Sequence, residues 1–290
     1  MSDEITNILK VFLNLKKFGT NNLSKVYVIP KNKPSITNRA NHMGEALEFF
    51  MKDALCGTLI ESNAQKKRDE YSKNFCYLGN QNNPPDIMIK EGGDAIEVKK
   101  INGTRFNDLA LNSSYPKAKI YSNSPMITNA CATCETWTER DIIYAVGQVE
   151  NNKLKFLALV YGDCYCADAE IYENVKKKIT EGINKTGLEF SKTKELGRVN
   201  KVDPLGITNL RIRGMWTIKN PLSVFTEYFG NSGKEMNIYL VLKKEKYNTL
   251  NKKDKELIEK DKDFKIKDIK IPNPSNPAKQ LNAIAISYEK

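Results

Sequence analysis

Between residues 38 and 55 the apolar side chains Met43, Ala46, Leu47, Phe50, Met51 and Leu55 recur at steps of three and four, the spacing of an amphipathic helix. After a polar stretch at 61–74 come two short β-like runs, 75–78 and 86–89. The second leads through Glu91-Gly92-Gly93-Asp94 into 95–99, a hairpin pattern. Apolar runs at 142–149 and 154–161 flank the polar turn 150–153, so these pieces are expected to extend one sheet. Helical spacing returns over 169–183 with Ile171, Val175, Ile179 and Ile183, and Asp168 is its expected N-cap. Beyond Leu242 lysines and acids dominate to Ile271, followed by a Pro/Asn-rich segment at 272–277 and a last strand at 283–288. With no repeat and no Gly/Ser linker, the pattern predicts one α/β domain over 1–242 and a peripheral, lysine-rich C-terminal elaboration at 243–290.

Composition narrows the class. The chain has 290 residues, 40% hydrophobic and 9% aromatic, enough for a sizeable core and incompatible with a collagen-like or wholly disordered chain. No apolar run approaches the ~20 residues of a membrane helix, and Met1-Ser2-Asp3-Glu4 carries acids where a secretory leader carries bases. A cytoplasmic protein without membrane contact is expected. The net charge of +11 suits a partner rich in phosphate. Six cysteines in such a chain read as reduced thiols. Cys131-x-x-Cys134 and Cys164-x-Cys166 supply four thiols in number, but the second pair lacks zinc spacing and ends an apolar run.

The chemistry is concentrated at Asp86 and Glu97-Val98-Lys99. If the two segments are neighbouring strands of the hairpin, Glu97 and Lys99 share a face by alternation and converge with Asp86. Two neighbouring carboxylates repel unless a hard cation sits between them, so Asp86 and Glu97, with the Val98 carbonyl, form a natural Mg²⁺ site. Lys99 beside it can orient or help deprotonate a water, or stabilise charge on a phosphorane-like transition state. The competing account is a solvated hairpin edge.

This Asp, Glu and Lys set resembles the PD-(D/E)XK nuclease superfamily, which implies a core of mixed central β-sheet flanked by helices. On the preceding helix Gly44 to Glu48 resembles the acidic first-helix element by which many such nucleases reach a metal, which implies Glu48, in preference to Glu45, as a further acid; the alternative is a plain solvent-facing carboxylate. The chain goes further. Asn38-Arg39-Ala40-Asn41, Gly44 to Glu48, Tyr77-Leu78-Gly79-Asn80 to Pro84-Pro85-Asp86, Gly93 to Lys100, Leu111-Asn112-Ser113-Ser114, Asp203 to Thr208 and Leu210 to Trp216 together resemble the NgoPII family of type II restriction endonucleases. The resemblance runs from about 38 to 230. It implies Mg²⁺-dependent cutting of double-stranded DNA at a short palindrome, GGCC for this family, beside a methyltransferase that protects host sites.

A palindrome mirrors a two-fold protein, so a homodimer is expected. Guanine is read in the major groove by arginine, and Arg211 and Arg213, two apart in a β-like segment, would face the same side. The alternative for each is a phosphate contact or a solvated surface arginine. Asn112, Ser113, Ser114 and Lys117 form a polar loop suited to bases or phosphates, unless Asn-Ser-Ser caps a turn. Lys100 could touch the scissile strand or face solvent on the other side of its strand. Asp94, three residues before Glu97, could add a metal contact but after Gly92-Gly93 reads as a turn residue; His42 reads as a capping or packing residue, and Trp137 and Trp216 as core or interface aromatics. Two rivals remain: a repair or recombination nuclease of the same fold, and a basic DNA-binding protein without catalysis.

Overall fold

The computed structural model describes residues 5–19, 23, 38–80, 83–112, 114–193, 195–230 and 233–290; the side chains of residues 38–44, 80 and 112 lie outside the description. His42's side chain, Asn112's side chain and all of Ser113 are thus outside the described residues.

Among the described residues the helices α1 (Leu9–Phe18), α2 (Asn38–Cys56) and α3 (Ala64–Asn74) precede the sheet. The helix expected over 38–55 is α2, and it buries Leu47, Phe50, Met51, Ala54 and Leu55 as the apolar spacing requires. It ends in a Schellman turn: Gly57 adopts φ +71°, and the Thr58 N–H reaches back to the Asp53 carbonyl at 3.0 Å. α1 and α3 were not expected. α1 does carry its own buried row, Leu9, Val11, Phe12 and Leu15. α3 replaces part of the polar stretch at 61–74 and has almost no apolar face, so hydrophobic spacing could not reveal it. It is held instead by Asn63, whose side chain accepts from the N–H groups of Gln65 and Lys66, and by burial of Tyr71.

The strands follow: β1 (Phe75–Asn80), β2 (Asn83–Ile89), β3 (Ala95–Asn102), β4 (Leu109–Asn112) and β5 (Lys119–Tyr121). After the short helix α4 (Asn129–Ala132) come the long strands β6 (Glu139–Glu150) and β7 (Lys153–Tyr161), then α5 (Ala169–Asn184). The small strands β8 (Gly197–Val199), β9 (Leu210–Ile212) and β10 (Trp216–Ile218) precede α6 (Pro221–Val224) and β11 (Asn237–Lys243). The chain closes with α7 (Lys244–Thr249), α8 (Lys252–Lys260), β12 (Phe264–Asn273) and β13 (Asn276–Glu289).

Both expected hairpins join one mixed sheet in the order β1-β2-β3-β6-β7-β11-β13-β12, with β5 pairing to β6. β3 with β6 and β7 with β11 are parallel, and the other pairs are antiparallel. The fold is mixed α/β, a large central sheet flanked by helices. α2 packs where β6 has no side chain, because a Cβ on Gly147 would collide with Leu47. Among the described residues no helix is long and apolar enough to cross a membrane.

Two expectations need correction. Asp168 does precede α5, but its side chain makes no capping hydrogen bond. The 243–290 segment, expected as peripheral, is built into the sheet: β13 pairs with β11 over seven positions, from Asn237↔Glu289 to Lys243↔Ala283. Lys10 on α1 pairs with Asp254 on α8 at 2.7 Å, so the first helix packs against the 243–290 segment.

Candidate active site

β2 and β3 pair antiparallel at Ile87↔Ile96 and Met88↔Ala95, and the same register sets Asp86 across from Glu97. At this point the backbone ladder stops. The Asp86 carboxylate takes over as acceptor, receiving the Val98 N–H at 2.6 Å. A strand residue turns its N–H and C=O to the same neighbour, so the Val98 carbonyl also faces β2. Glu97 and Lys99 share one face, and the Lys99 ammonium donates to Glu97 Oε1 at 2.5 Å. The other oxygen of that carboxylate, Oε2, is buried without a hydrogen-bond partner among the described residues.

The electrostatics are those of neighbouring buried acids. Burial first, then the Glu97 charge, pushes the Asp86 carboxyl well above its usual range. Glu48 reaches the cluster from α2. Burial raises its pKa and Glu97 adds to the rise, while the ammonium of Lys52, one helical turn on, opposes it. Burial alone would lower the Lys99 ammonium, but the carboxylates of Glu97 and Asp86 outweigh it and hold Lys99 above its ordinary value. Lys52 was missed in the sequence. Its signal was the i,i+4 relation to Glu48, and burial depresses its pKa.

The face of β3 that carries Glu97 opens into a small pocket lined by Pro84, Glu97, Ser114, Tyr115, Lys117 and Tyr144, among others. Ser114 and Lys117, expected as part of a reading loop, therefore stand beside Glu97. Lys100 does not. Alternation turns it to the face where its partner Gly147 meets Leu47, and burial lowers its pKa to about 8. Arg211 on β9 and Arg213 just beyond it do face one side, and both are exposed. Arg211 holds Glu195 with two hydrogen bonds at 2.9 and 2.8 Å, and Arg213 meets the same carboxylate at 2.9 Å.

Asp94 is no metal contact. It is buried, accepts from Tyr161 at 2.6 Å and pairs with Lys246 at 2.7 Å. Trp216 packs edge-on against Tyr115 and Tyr172, and Trp137 donates to the Cys131 carbonyl at 3.3 Å. All six cysteines are free thiols. Among the described residues no group of three or more His, Cys, Asp or Glu side chains gathers to hold a metal. That excludes a Cys-built zinc site there and leaves Asp86 and Glu97 as a two-carboxylate pair.

A model of the NgoPII restriction endonuclease family matches residues 6–272. The chain belongs to this family. Within 254 residues it is 50% identical to the type II restriction enzyme NgoPII of Neisseria gonorrhoeae, covering 87% of this chain and 90% of that enzyme. No solved structure matches. As a member of the NgoPII family the protein is a type II restriction endonuclease, and the matched stretch contains every residue of the acidic cluster, both arginines and Lys117.

Proposed function

We propose that the protein hydrolyses phosphodiester bonds of double-stranded DNA at a short palindrome, in a Mg²⁺-dependent reaction at Asp86, Glu97 and Lys99, on a PD-(D/E)XK core. The observation that carries this reading is the pairing of Asp86 with Glu97, and of Glu97 with Lys99, at the point where the β2–β3 ladder ends, with Glu48 near enough for its charge to be felt there.

The residues fit a divalent cation. Glu97 Oε2 is an orphaned buried acceptor, and Asp86 resists ionisation beside Glu97; a hard cation held by these two carboxylates and the Val98 carbonyl would relieve both. Mg²⁺ bound there would lower the pKa of a water and screen the phosphoryl charge. Glu97 anchors Lys99, and Lys99 holds its proton, which favours its role as a fixed positive charge beside the developing phosphorane over that of a base. Glu48 is a further acid at the rim, able to orient a water through its carboxylate.

Arg211 and Arg213 are the candidate guanine readers. Glu195 aligns both guanidinium groups on one side, and the exposed pair is free to trade this carboxylate for base edges or phosphates. Asn112, Ser113 and Ser114 belong to the same DNA-contacting set. A palindrome calls for a homodimer, and a protecting methyltransferase is the functional partner. GGCC is the target expected from the family.

The test is incubation with a sequenced, unmethylated plasmid, with and without Mg²⁺, and mapping of the ends. Mg²⁺-dependent fragments ending at GGCC are expected. Ends at another fixed site would discard the GGCC assignment, and ends without sequence preference would favour a repair-type nuclease. Binding without cutting would discard catalysis. In the same assay Lys99→Ala should fold and bind DNA but lose most cleavage.

A further inference from the structure

Lys117 is 6% exposed, and among the described residues the hydrogen-bond partners of its ammonium are neutral: the Ser114 hydroxyl and the Tyr115 carbonyl, the latter at 3.1 Å. Its Nζ also lies 5.1 Å from the centre of the Tyr115 ring. A buried lysine with no carboxylate bound to it is costly, and burial lowers its pKa to about 8.

The backbone around it is fixed. The Lys117 N–H donates to the Tyr144 hydroxyl at 2.7 Å, and Tyr144 is the register partner of Glu97 on β6. Gly162 closes against the carbonyls of Lys117 and Ala118, leaving no room for a Cβ there. A tyrosine beside Glu97 thus holds Lys117, and both lysine and glutamate line one pocket. A loop that reads sequence needs side chains projecting toward base edges. Lys117 instead lines the pocket beside Glu97, with no carboxylate among its described hydrogen-bond partners.

We propose that Lys117 is a second cation of the active site, which binds a non-bridging oxygen of the DNA phosphate held against Glu97. The inference rests on the nuclease reading above. The incoming phosphodiester supplies the counter-charge the buried ammonium lacks, and Ser114, hydrogen-bonded to Nζ, sets the direction in which the ammonium points. Lys99 and Lys117 would then grip one phosphate from two sides, Lys99 tied to Glu97 and Lys117 approaching from the wall of the pocket.

The experiment compares wild type, Lys117→Met and Lys117→Arg on a short duplex containing the site that wild type cuts. It measures the single-turnover cleavage rate in Mg²⁺, duplex affinity without metal, and thermal unfolding. If wild type cuts no DNA, the nuclease reading itself fails. If wild type cuts, Lys117→Met should lose about 10²-fold or more in rate with no loss of folding, and Lys117→Arg should recover part of it. A Lys117→Met rate within about threefold of wild type overturns the proposal. A second readout separates contact from structure: duplexes in which single phosphates near the cut are replaced by neutral methylphosphonates. Neutralising the contacted phosphate should weaken wild-type binding but leave Lys117→Met binding unchanged. Equal weakening of both proteins at every position would assign Lys117 a structural role and sink the inference.

Discussion

The Asp86 carboxylate accepts the Val98 N–H at 2.6 Å, a side chain standing in for the strand partner that the ladder no longer provides. One oxygen of the candidate metal ligand is thereby fixed in direction, while burial and the Glu97 charge push the pKa of the carboxyl well above its usual range. Asp86→Asn retains an acceptor for Val98 and removes the charge. It should unfold at or above the wild-type temperature, yet lose about 10²–10³-fold in cleavage. Asp86→Ala also strands the Val98 N–H, and should lose about 1–3 kcal/mol of stability besides activity. Urea unfolding and single-turnover assays on the two variants separate the effects; equal stability losses would remove the hydrogen bond from the account.

Gly79 on β1 is the backing for Asp86. A Cβ there would meet the Pro85 carbonyl and lie 2.9 Å from the Asp86 Cα, contacts with backbone that cannot swing aside. Gly79→Ala is therefore expected to push β2 away from β1, lower stability by about 1–3 kcal/mol and cut activity more than stability alone explains. Gly103→Ala is a control, since a Cβ at Gly103 meets nothing within 4 Å and only its φ of +91° is strained. Measured cleavage at a temperature where both variants are fully folded checks this: Gly79→Ala should be impaired and Gly103→Ala close to wild type.

Much of this was legible in the sequence, and the parts that were not share a cause. Alternation along 95–99 and the hairpin turn at 91–94 were enough to bring Asp86, Glu97 and Lys99 together, because strand geometry is local. The helix over 38–56 announced itself by Leu47, Phe50, Met51 and Leu55, which all turned out buried. α3 was silent because its stability comes from the Asn63 cap and tertiary contacts of Tyr71, not from an apolar stripe. α5 shows the opposite failure. Ile171, Val175 and Ile179 have perfect helical spacing yet remain more than 40% exposed, while Tyr172 packs inward on Tyr115 and Trp216. Periodicity identifies the helix and not the face it buries. Lys117 was expected in a DNA-contacting loop, and only the fold places it in the pocket beside Glu97; Lys52 was missed although it stands four residues after Glu48 on the same helix.

Lys117 links function to stability through pH. Burial holds its folded pKa at about 8, below the ordinary lysine value of 10.5, so the fold disfavours the charged form. Below pH 8 both folded and unfolded chains are protonated and the penalty is fully present. Between about 8 and 10.5 the unfolded chain keeps a proton that the folded chain has shed, so this group's contribution makes stability rise with pH until the penalty is gone. Lys117→Met, which fills the same space without charge, should therefore be more stable than wild type at pH 7, by roughly 2–4 kcal/mol. The gap should close by about pH 10.5. Denaturant midpoints of both proteins from pH 7 to 10.5 decide it; a variant less stable than wild type at pH 7 would mean that Lys117 holds the fold.

Lys246, on α7 beyond the proposed nuclease segment, ties the C-terminal part to the hairpin turn. Its ammonium lies 2.7 Å from Asp94 Oδ1 and 2.8 Å from Asp141 Oδ2, and Tyr161 donates to the other Asp94 oxygen at 2.6 Å. Burial raises the Asp94 pKa, and Lys246 is the main force opposing that rise. Lys246→Met leaves Asp94 buried and uncompensated, and should cost about 3–5 kcal/mol at neutral pH. The sign with pH is the reverse of the Lys117 case. With Lys246 gone the folded Asp94 pKa climbs further above its unfolded value, so the folded chain takes up a proton that the unfolded chain releases. The variant's deficit should therefore shrink as pH falls toward about 4, the ordinary aspartate value. If the deficit is small at pH 7, or grows as pH falls, the Asp94–Lys246 pair is not what holds residues 243–290 to the sheet. β13 on β11, with contacts such as Lys10–Asp254, would then supply that attachment.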